Sequence, residues 1–379
     1  MTGMIGIAGT RPMRVVEVSG SAAGGVRAHL GQCSRALSGA DHEVIVAAPT
    51  QVLEGLDTGA ARRVVLSIGP RPALSDRSAV RRLAALAQGA DVVHAHGLRA
   101  GSVAALALGR RRSGRARLVV TLHNLPVGGR LTRLVGDRLE KLVARRADVV
   151  LGVSPDLVER ARARGAGSAL LAIIPAPEEA AGDAGKNRGE EGRGAAEALA
   201  GAGGPLILTV ARLAPQKGLA LLLDAASILA RRTEGDGAPL TWLVAGEGPE
   251  RPALQTRIDA ERLPVTLLGR REDARALMAS ADVVVQTSLW EGQPLTIQEA
   301  LRAGAAIIAT DVGGTGVTAR GGAVLVAPEA PAIADAVGRL LDDPAARREW
   351  RGRARDAAAG LPTSADLLAQ LIAVLAPGA

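Results

Sequence analysis

The stretch from Leu289 to Gly304, LWEGQPLTIQEALRAG, sets Glu291 and Glu299 eight positions apart. The first lies in a Gly-Pro turn just after the apolar run ADVVVQTSL, which reads as a buried strand. The second falls on the helix that Pro294 opens and Gly304 stops, roughly 8 Å further along at about 1.5 Å per residue. Between them the helix presents its free N–H groups, which form a seat for an anion. Two carboxylates bracketing such a seat suit a long ligand with hydroxyls at both ends and phosphate in the middle. A plainer reading, a turn glutamate and a surface helix glutamate both in water, fits the stretch equally well.

A second group lies in LILTVARLAPQKGL, where Arg212 ends a strand and Lys217 follows five residues later, before a helix. Two cations on such a turn neutralise a diphosphate without a metal. Lys217 is one of only three lysines against 43 arginines, so its presence points to the demand of a site. No Asp-x-Asp occurs in the chain. Near the start, RVVEVSG runs into SAAGGVRAHL and puts Gly24 and Gly25 in the first strand-to-helix turn, where backbone N–H groups approach a phosphate closely. Neither GxGxxG nor GxxxxGK[ST] is found, which removes the main support for a nicotinamide dehydrogenase or a P-loop NTPase. His94 and His96 share one face of a strand; they read as a strand-end pair, because the histidine spacing is not that of a metal site.

The elements that must position these residues are legible. ADVVHAHG, ADVVLGVS and ADVVVQTS echo one another as buried strands entered through Ala-Asp. RVVEVSG, HEVIVAAP, RLVVTLH, PLILTVAR, LTWLVAGEG, PVTLLGR and AAIIATDVGG add further strands, with helical patterns between most of them. Alternation of this kind predicts an α/β chain of doubly wound parallel sheets. A Gly/Ala/Glu-rich stretch without a buried period marks a linker over 176–204. It divides an N-terminal domain, 1–175, from a C-terminal one, 205–360, with a terminal helix in 361–379 free to pack back on the first.

Composition narrows the function classes. The 379 residues suffice for two domains, and no apolar run reaches the ~18 residues of a membrane span. The start lacks the basic and apolar regions of a signal peptide, and Cys33 is the single cysteine, so a cytoplasmic protein is expected. There is no Phe and no Tyr, so the core rests on Leu, Val, Ile and Ala, and stacking surfaces are limited to Trp242, Trp290 and Trp350. Residues 1–175 carry 25 basic and 12 acidic side chains, a net +13, while 176–379 carry 21 and 26, a net −5. The basic half points to an anionic partner. Nucleic acid is the weakest choice, since stacking platforms and a recognised module are both missing. RLTRLVGDRLEKLVARRADVV, from Arg130, repeats apolar residues at Leu131, Leu134, Val135, Leu139, Leu142 and Val143 with six cations around them. A basic amphipathic helix of this kind suits the anionic inner face of a membrane, and equally a domain helix that packs its apolar face on its own sheet with its charges in water.

Taken in order, VARLAPQKG and EGQPLTIQE, with GSAAGGV, VVHAHG, VVTLHN, GVSPDL, VAGEGP and TDVGG in support, resemble the retaining GT-B glycosyltransferases, glycosyltransferase family 4 in particular. The resemblance covers nearly the whole chain. It implies two Rossmann-like domains facing across a cleft and a nucleotide-diphosphate sugar, UDP- or GDP-linked, as donor, with no cofactor and no metal. It implies that Arg212 and Lys217 hold the leaving diphosphate, with N–H groups at Gly24, Gly25 and Gly292, and that Glu299 binds the ribose. Glu291 would hold the donor sugar, His123 would face that sugar from the other domain, and Arg270 would lie near the base. The acceptor is an unidentified hydroxyl, with a cell-envelope or lipid-linked compound compatible. Three departures stand out: AIIPAPEEAAG where the family commonly shows an Asn-Gly-Val-Asp-like loop, TGVTARGG without a glutamate after DVGG, and Gln293 in place of an aromatic. They leave the donor residues intact and bear on interdomain geometry and acceptor choice. A non-catalytic scaffold of the same fold and a nucleotide-sugar epimerase are the competing readings, and fold alone does not separate them.

Overall fold

The Val-, Ile- and Leu-rich runs form parallel strands because helices cover both faces, and a strand buried on both faces needs no polar alternation. The structure, a computed structural model, describes residues 11–22, 24–111, 113–125, 129–176, 204–232 and 240–376. The linker expected over 176–204 lies outside them except at its two ends. Residues 1–175 with 362–379 make one compact unit and 176–361 a second.

In the first unit the strands are β1 (Arg14–Ser19), β2 (Glu43–Ala48), β3 (Arg62–Val65), β4 (Val92–His96), β5 (Arg117–Leu122), β6 (Val149–Gly152) and β7 (Ala169–Leu171). They pair in the order β3-β2-β1-β4-β5-β6-β7. The helices are α1 (Gly25–Gly39), α2 (Thr50–Leu53), α3 (Asp76–Leu86), α4 (Leu98–Leu108), α5 (Arg130–Arg146) and α6 (Pro155–Ala163). A terminal helix, Ser364–Leu375, opens on a Thr363–Asp366 capping box and packs against α1. The Arg117 guanidinium donates to its Val374 carbonyl at 2.9 Å.

The second unit holds β8 (Leu206–Val210), β9 (Thr241–Ala245), β10 (Val265–Gly269), β11 (Val283–Gln286), β12 (Ile307–Thr310) and β13 (Val324–Val326), ordered β10-β9-β8-β11-β12-β13. Both sheets reverse direction of growth once, between β1 and β4 and between β8 and β11. In open α/β sheets such switch points leave a crevice at the carboxyl ends of the strands.

Without Phe or Tyr the core fills its space by close approach. Gly101 on α4 sits so near β5 that a Cβ there would come within 2.6 Å of Val120 Cγ1, and Ala100, Ala104 and Ala105 are buried beside it. Trp242 is no stacking platform. It is wholly buried on β9, with its indole N–H donating to Thr209 Oγ1 at 3.0 Å. Trp350 lies partly buried against the same core with the Arg353 guanidinium 4.6 Å over its ring. β3, β7 and β13, absent from the sequence reading, are all sheet edges of three or four residues. Three or four residues are too few to show an apolar period, whereas β10, an edge of five, is legible in PVTLLGR.

Candidate functional site

At the second unit's switch point the loops after β8 and β11 are tied together. The Leu289 amide donates to the Gln216 carbonyl at 2.8 Å, the Gln216 side chain to the Trp290 carbonyl at 2.9 Å, and Thr287 Oγ1 to the Lys217 carbonyl at 3.0 Å. This closeness needs glycine at 218, where φ is +62° and a Cβ would lie 2.1 Å from the Thr287 carbonyl oxygen. The result is a cation beside a carboxylate: Lys217 Nζ donates to Glu291 Oε1 at 2.5 Å, and Ser288 Oγ donates to the same oxygen at 2.5 Å. Glu291 is 5% exposed, so the reading of a solvated turn glutamate does not hold.

Arg212 and Arg270 are exposed and line, with Arg271, Glu247 and Thr296, an adjoining cavity of about 370 Å³. Glu299 lies one turn beyond Thr296 on the helix Leu295–Arg302. Burial raises its carboxyl pKa, which Arg275, 3.7 Å away, only partly opposes. It is therefore not a freely solvated surface group either. The helix starts at Leu295, not at Gly292, because Pro294 sits in extended geometry (ψ 113°) just before it. Gly292 is a loop residue, and free helical N–H groups begin at Leu295, beside the Pro294 that the residues mark and three positions after the Gly292 that the resemblance implies. The structure thus pairs Lys217 with Glu291 and sets Arg212 and Arg270 on the lining of one cavity, with Glu299 on the helix between Thr296 and Arg302.

In the first unit Gly24 (φ +56°) precedes α1 and Gly25 begins it, both exposed, with no side chain capping the helix N-terminus. The left-handed backbone accounts for glycine at 24; at 25 a Cβ would meet nothing within 4 Å. His123, 8% exposed, lines a cavity of about 620 Å³ with His96, Asn124, Arg71, Arg99 and the start of α4.

Beneath that cavity lies a group the sequence reading missed. β1 and β4 pair with Glu17 directly opposite His94. The wholly buried Glu17 carboxylate reaches His94 Nδ1 at 3.1 Å through Oε1 and His96 Nε2 at 2.6 Å through Oε2. Burial alone would raise its pKa; the imidazoles, His94 foremost, outweigh that and hold it at about 2. His123 Nε2 and His96 Nδ1 lie 3.5 Å apart, and the His29 ring stands edge-on to both. Burial pushes His29 and His123 well below the usual histidine range. Cys33, His94 and His96 bring ligand-type atoms within 4.8 Å of one another, a cluster invisible in sequence spacing. Both His94 nitrogens already have partners, since Nε2 meets Thr121 Oγ1 at 2.8 Å. The available signal was a glutamate inside RVVEVS and histidines inside VVHAH, since a charge buried in a strand needs a partner.

Residues 24–177 match the domain family described as "Glycosyl transferase 4-like domain" and residues 204–343 the one described as "Glycosyl transferases group 1". The chain carries both glycosyl transferase domains. An alpha-D-kanosaminyltransferase of Streptomyces kanamyceticus is 34% identical over 42% of this chain and 41% of its own length. A D-inositol 3-phosphate glycosyltransferase of Nocardia farcinica is 28% identical over 71% of this chain and 63% of its own. The aligned part therefore spans less than two thirds of these relatives. Among solved structures, Anabaena Alr3699/HepE in complex with UDP superposes with a TM-score of 0.76 at 20% identity, covering 96% of this chain and 99% of that one. The fold is GT-B. Lys217, Glu291 and Glu299 belong to the group 1 domain, and Gly24, Gly25 and His123 to the 4-like domain.

Proposed function

We propose that the chain is a retaining, metal-independent glycosyltransferase that moves a sugar from a UDP- or GDP-linked donor to a hydroxyl acceptor. The observation that carries this is the Lys217–Glu291 pair at the carboxyl end of the β8–β11 switch point. Breaking an anomeric C–O bond loads negative charge on the diphosphate and positive charge on the sugar ring. Lys217 and Arg212 are fixed cations for the first, and a preorganised charge where charge develops lowers the barrier. Glu291, held by Ser288 and Lys217, positions the sugar hydroxyls rather than forming a covalent bond. Glu299 takes the ribose hydroxyls. The glycosyltransferase relatives, and the UDP and UDP-glucose bound in HepE, support a nucleotide-sugar donor. Screening UDP-, GDP- and ADP-sugars by thermal shift tests the reading, since a ligand bound only by the folded state raises the melting temperature. No shift with any of them would overturn it.

Transfer is expected to survive EDTA at full rate, given two cations in place of a metal. Loss with EDTA and rescue by magnesium or manganese would refute metal independence. Glu299→Ala is expected to cost about 100-fold in kcat/KM, the loss of hydrogen bonds to a charged group, and to act through donor affinity. Wild-type donor affinity in that variant would remove the ribose assignment.

The second part of the reading concerns a cytoplasmic enzyme peripheral on the inner face of the membrane, with a lipid-linked or phosphorylated acceptor. The apolar face of α5 is partly used internally: Val143 is buried, Val135, Leu139 and Leu142 are partly buried, and Glu140 is held by Arg160 of α6 at 2.7 Å. Leu134 stays 52% exposed. Arg110, Arg111, Arg138, Lys141, Arg145 and Arg146 line one groove. Among the described residues no single helix is long and apolar enough to cross a membrane. Flotation with phosphatidylglycerol vesicles is expected to fall steeply between low and physiological salt, and further when Arg138, Lys141 and Arg145 become Glu. Equal recovery with neutral vesicles would exclude it.

A further inference from the structure

We propose that Glu17 is a positioning residue that sets the protons of the histidines under the first unit's cavity, leaving His123 with a protonated Nε2 and with Nδ1 free to accept from a substrate hydroxyl. The substrate's part rests on the transferase reading; the proton pattern does not.

The pattern follows from counting donors. An ionised carboxylate only accepts, so both ring nitrogens facing Glu17 carry hydrogen: His94 Nδ1 and His96 Nε2. Burial keeps His96 and His123 neutral near pH 7, and a neutral imidazole has one N–H, so His96 Nδ1 accepts. His94 Nε2 meets Thr121 Oγ1 at 2.8 Å, a hydroxyl able to donate or to accept. His96 Nδ1 faces His123 Nε2 at 3.5 Å, which therefore donates. His123 is left with Nδ1 as its acceptor on a ring that borders the cavity. The sheet register makes this arrangement: Glu17 lies opposite His94, and Ser19 opposite His96, so the carboxylate can span both alternate histidines.

Among the described residues, the remaining titratable groups around the cluster are His29 and Cys33 on α1, with Cys33 Sγ 3.5 Å from His29 Nε2, and the cavity is bordered by Arg71 and Arg99. Burial lowers the affinity of His29, His96 and His123 for a proton, which keeps these rings neutral near pH 7. One proton taken from water by His96 inverts the pattern. His96 Nδ1–H then donates to His123 Nε2, and the His123 proton moves to Nδ1, which can no longer accept. Activity should therefore fall on the acid side as this single proton binds.

Side-chain nitrogen NMR of the histidine-labelled full chain, without donor, reads the tautomers directly. The expected result is Nδ1–H on His94 and Nε2–H on His96 and His123; a His123 proton on Nδ1 at pH 7.5 overturns the proposal. Glu17→Gln keeps the shape but makes one end a donor, so either His94 or the His96–His123 pair should change tautomer; unchanged tautomers at all three rings overturn the proposal. The same variant should lose about 10- to 100-fold in kcat, the scale of losing a histidine-orienting partner, with donor KM within about twofold and a displaced acid limb. A lower melting temperature with kcat and pH profile unchanged marks a structural role only, and also overturns it. Correct tautomers without transfer from any nucleotide sugar would sink the donor reading alone. Transfer with the wrong tautomers would sink this proposal alone.

Discussion

Lys217→Ala is expected to lower kcat/KM by about 10²–10³-fold, the usual cost of deleting a preorganised electrostatic group. Two losses are combined in that variant. The cation that meets the leaving diphosphate disappears, and Glu291, buried and held at 2.5 Å by both Lys217 and Ser288, loses its counter-charge. The second loss should cost about 2 kcal/mol of stability, below the roughly 3–5 kcal/mol of a fully buried pair because Lys217 keeps some contact with water. The double variant Lys217→Ala/Glu291→Gln separates the two. Its melting temperature should recover towards wild type while kcat/KM stays low. Recovery of the rate along with stability would assign Lys217 to structure.

Gly313→Ala is expected to destabilise the second unit by about 2–5 kcal/mol and to displace Glu291. At φ +54° a side chain costs about 1–2 kcal/mol. A Cβ would also lie 2.0 Å from the Glu291 carbonyl oxygen, which already accepts from the Gly314 amide at 2.9 Å. Relief requires moving the backbone that carries Glu291, at about 1–3 kcal/mol for forced repacking. Gly321→Ala is the control, since its φ is +80° but nothing lies within 4 Å. Equal melting temperatures for the two variants would show that the loop yields without cost.

Every strand between the sheet edges announced itself through its apolar run, and the helix from Leu295 through its spacing and Gly304. Alternation of strand and helix was enough to give the parallel sheets. Short edge strands such as Arg62–Val65 did not announce themselves, since three or four residues hold too little pattern, while the five-residue edge Val265–Gly269 did. The site was legible where residue type is unusual for the composition, as with Lys217, and where a carboxylate follows a strand, as with Glu291. Its pairing was not: sequence assigned Lys217 to phosphate and Glu291 to sugar, and only the folded loops bring them to 2.5 Å. The Glu17 cluster was hidden for a different reason. Its members come from α1, β1, β4 and the end of β5, and parallel register rather than sequence spacing brings them together.

The absence of tyrosine and the placement of the tryptophans give the chain an unusual optical asymmetry. Trp242, Trp290 and Trp350 all belong to the second unit, and the first unit has no emitting side chain. Intrinsic fluorescence therefore reports on one half of the protein alone. Trp242, sealed in the core with its indole hydrogen-bonded to Thr209, supplies a blue, steady signal that marks unfolding of that half. Trp290, next in sequence to Glu291 and only partly buried, supplies a signal sensitive to whatever enters the loop. Titrating a donor against emission would follow binding at the second unit without a label, and a melt followed by emission would leave the histidine-bearing unit dark.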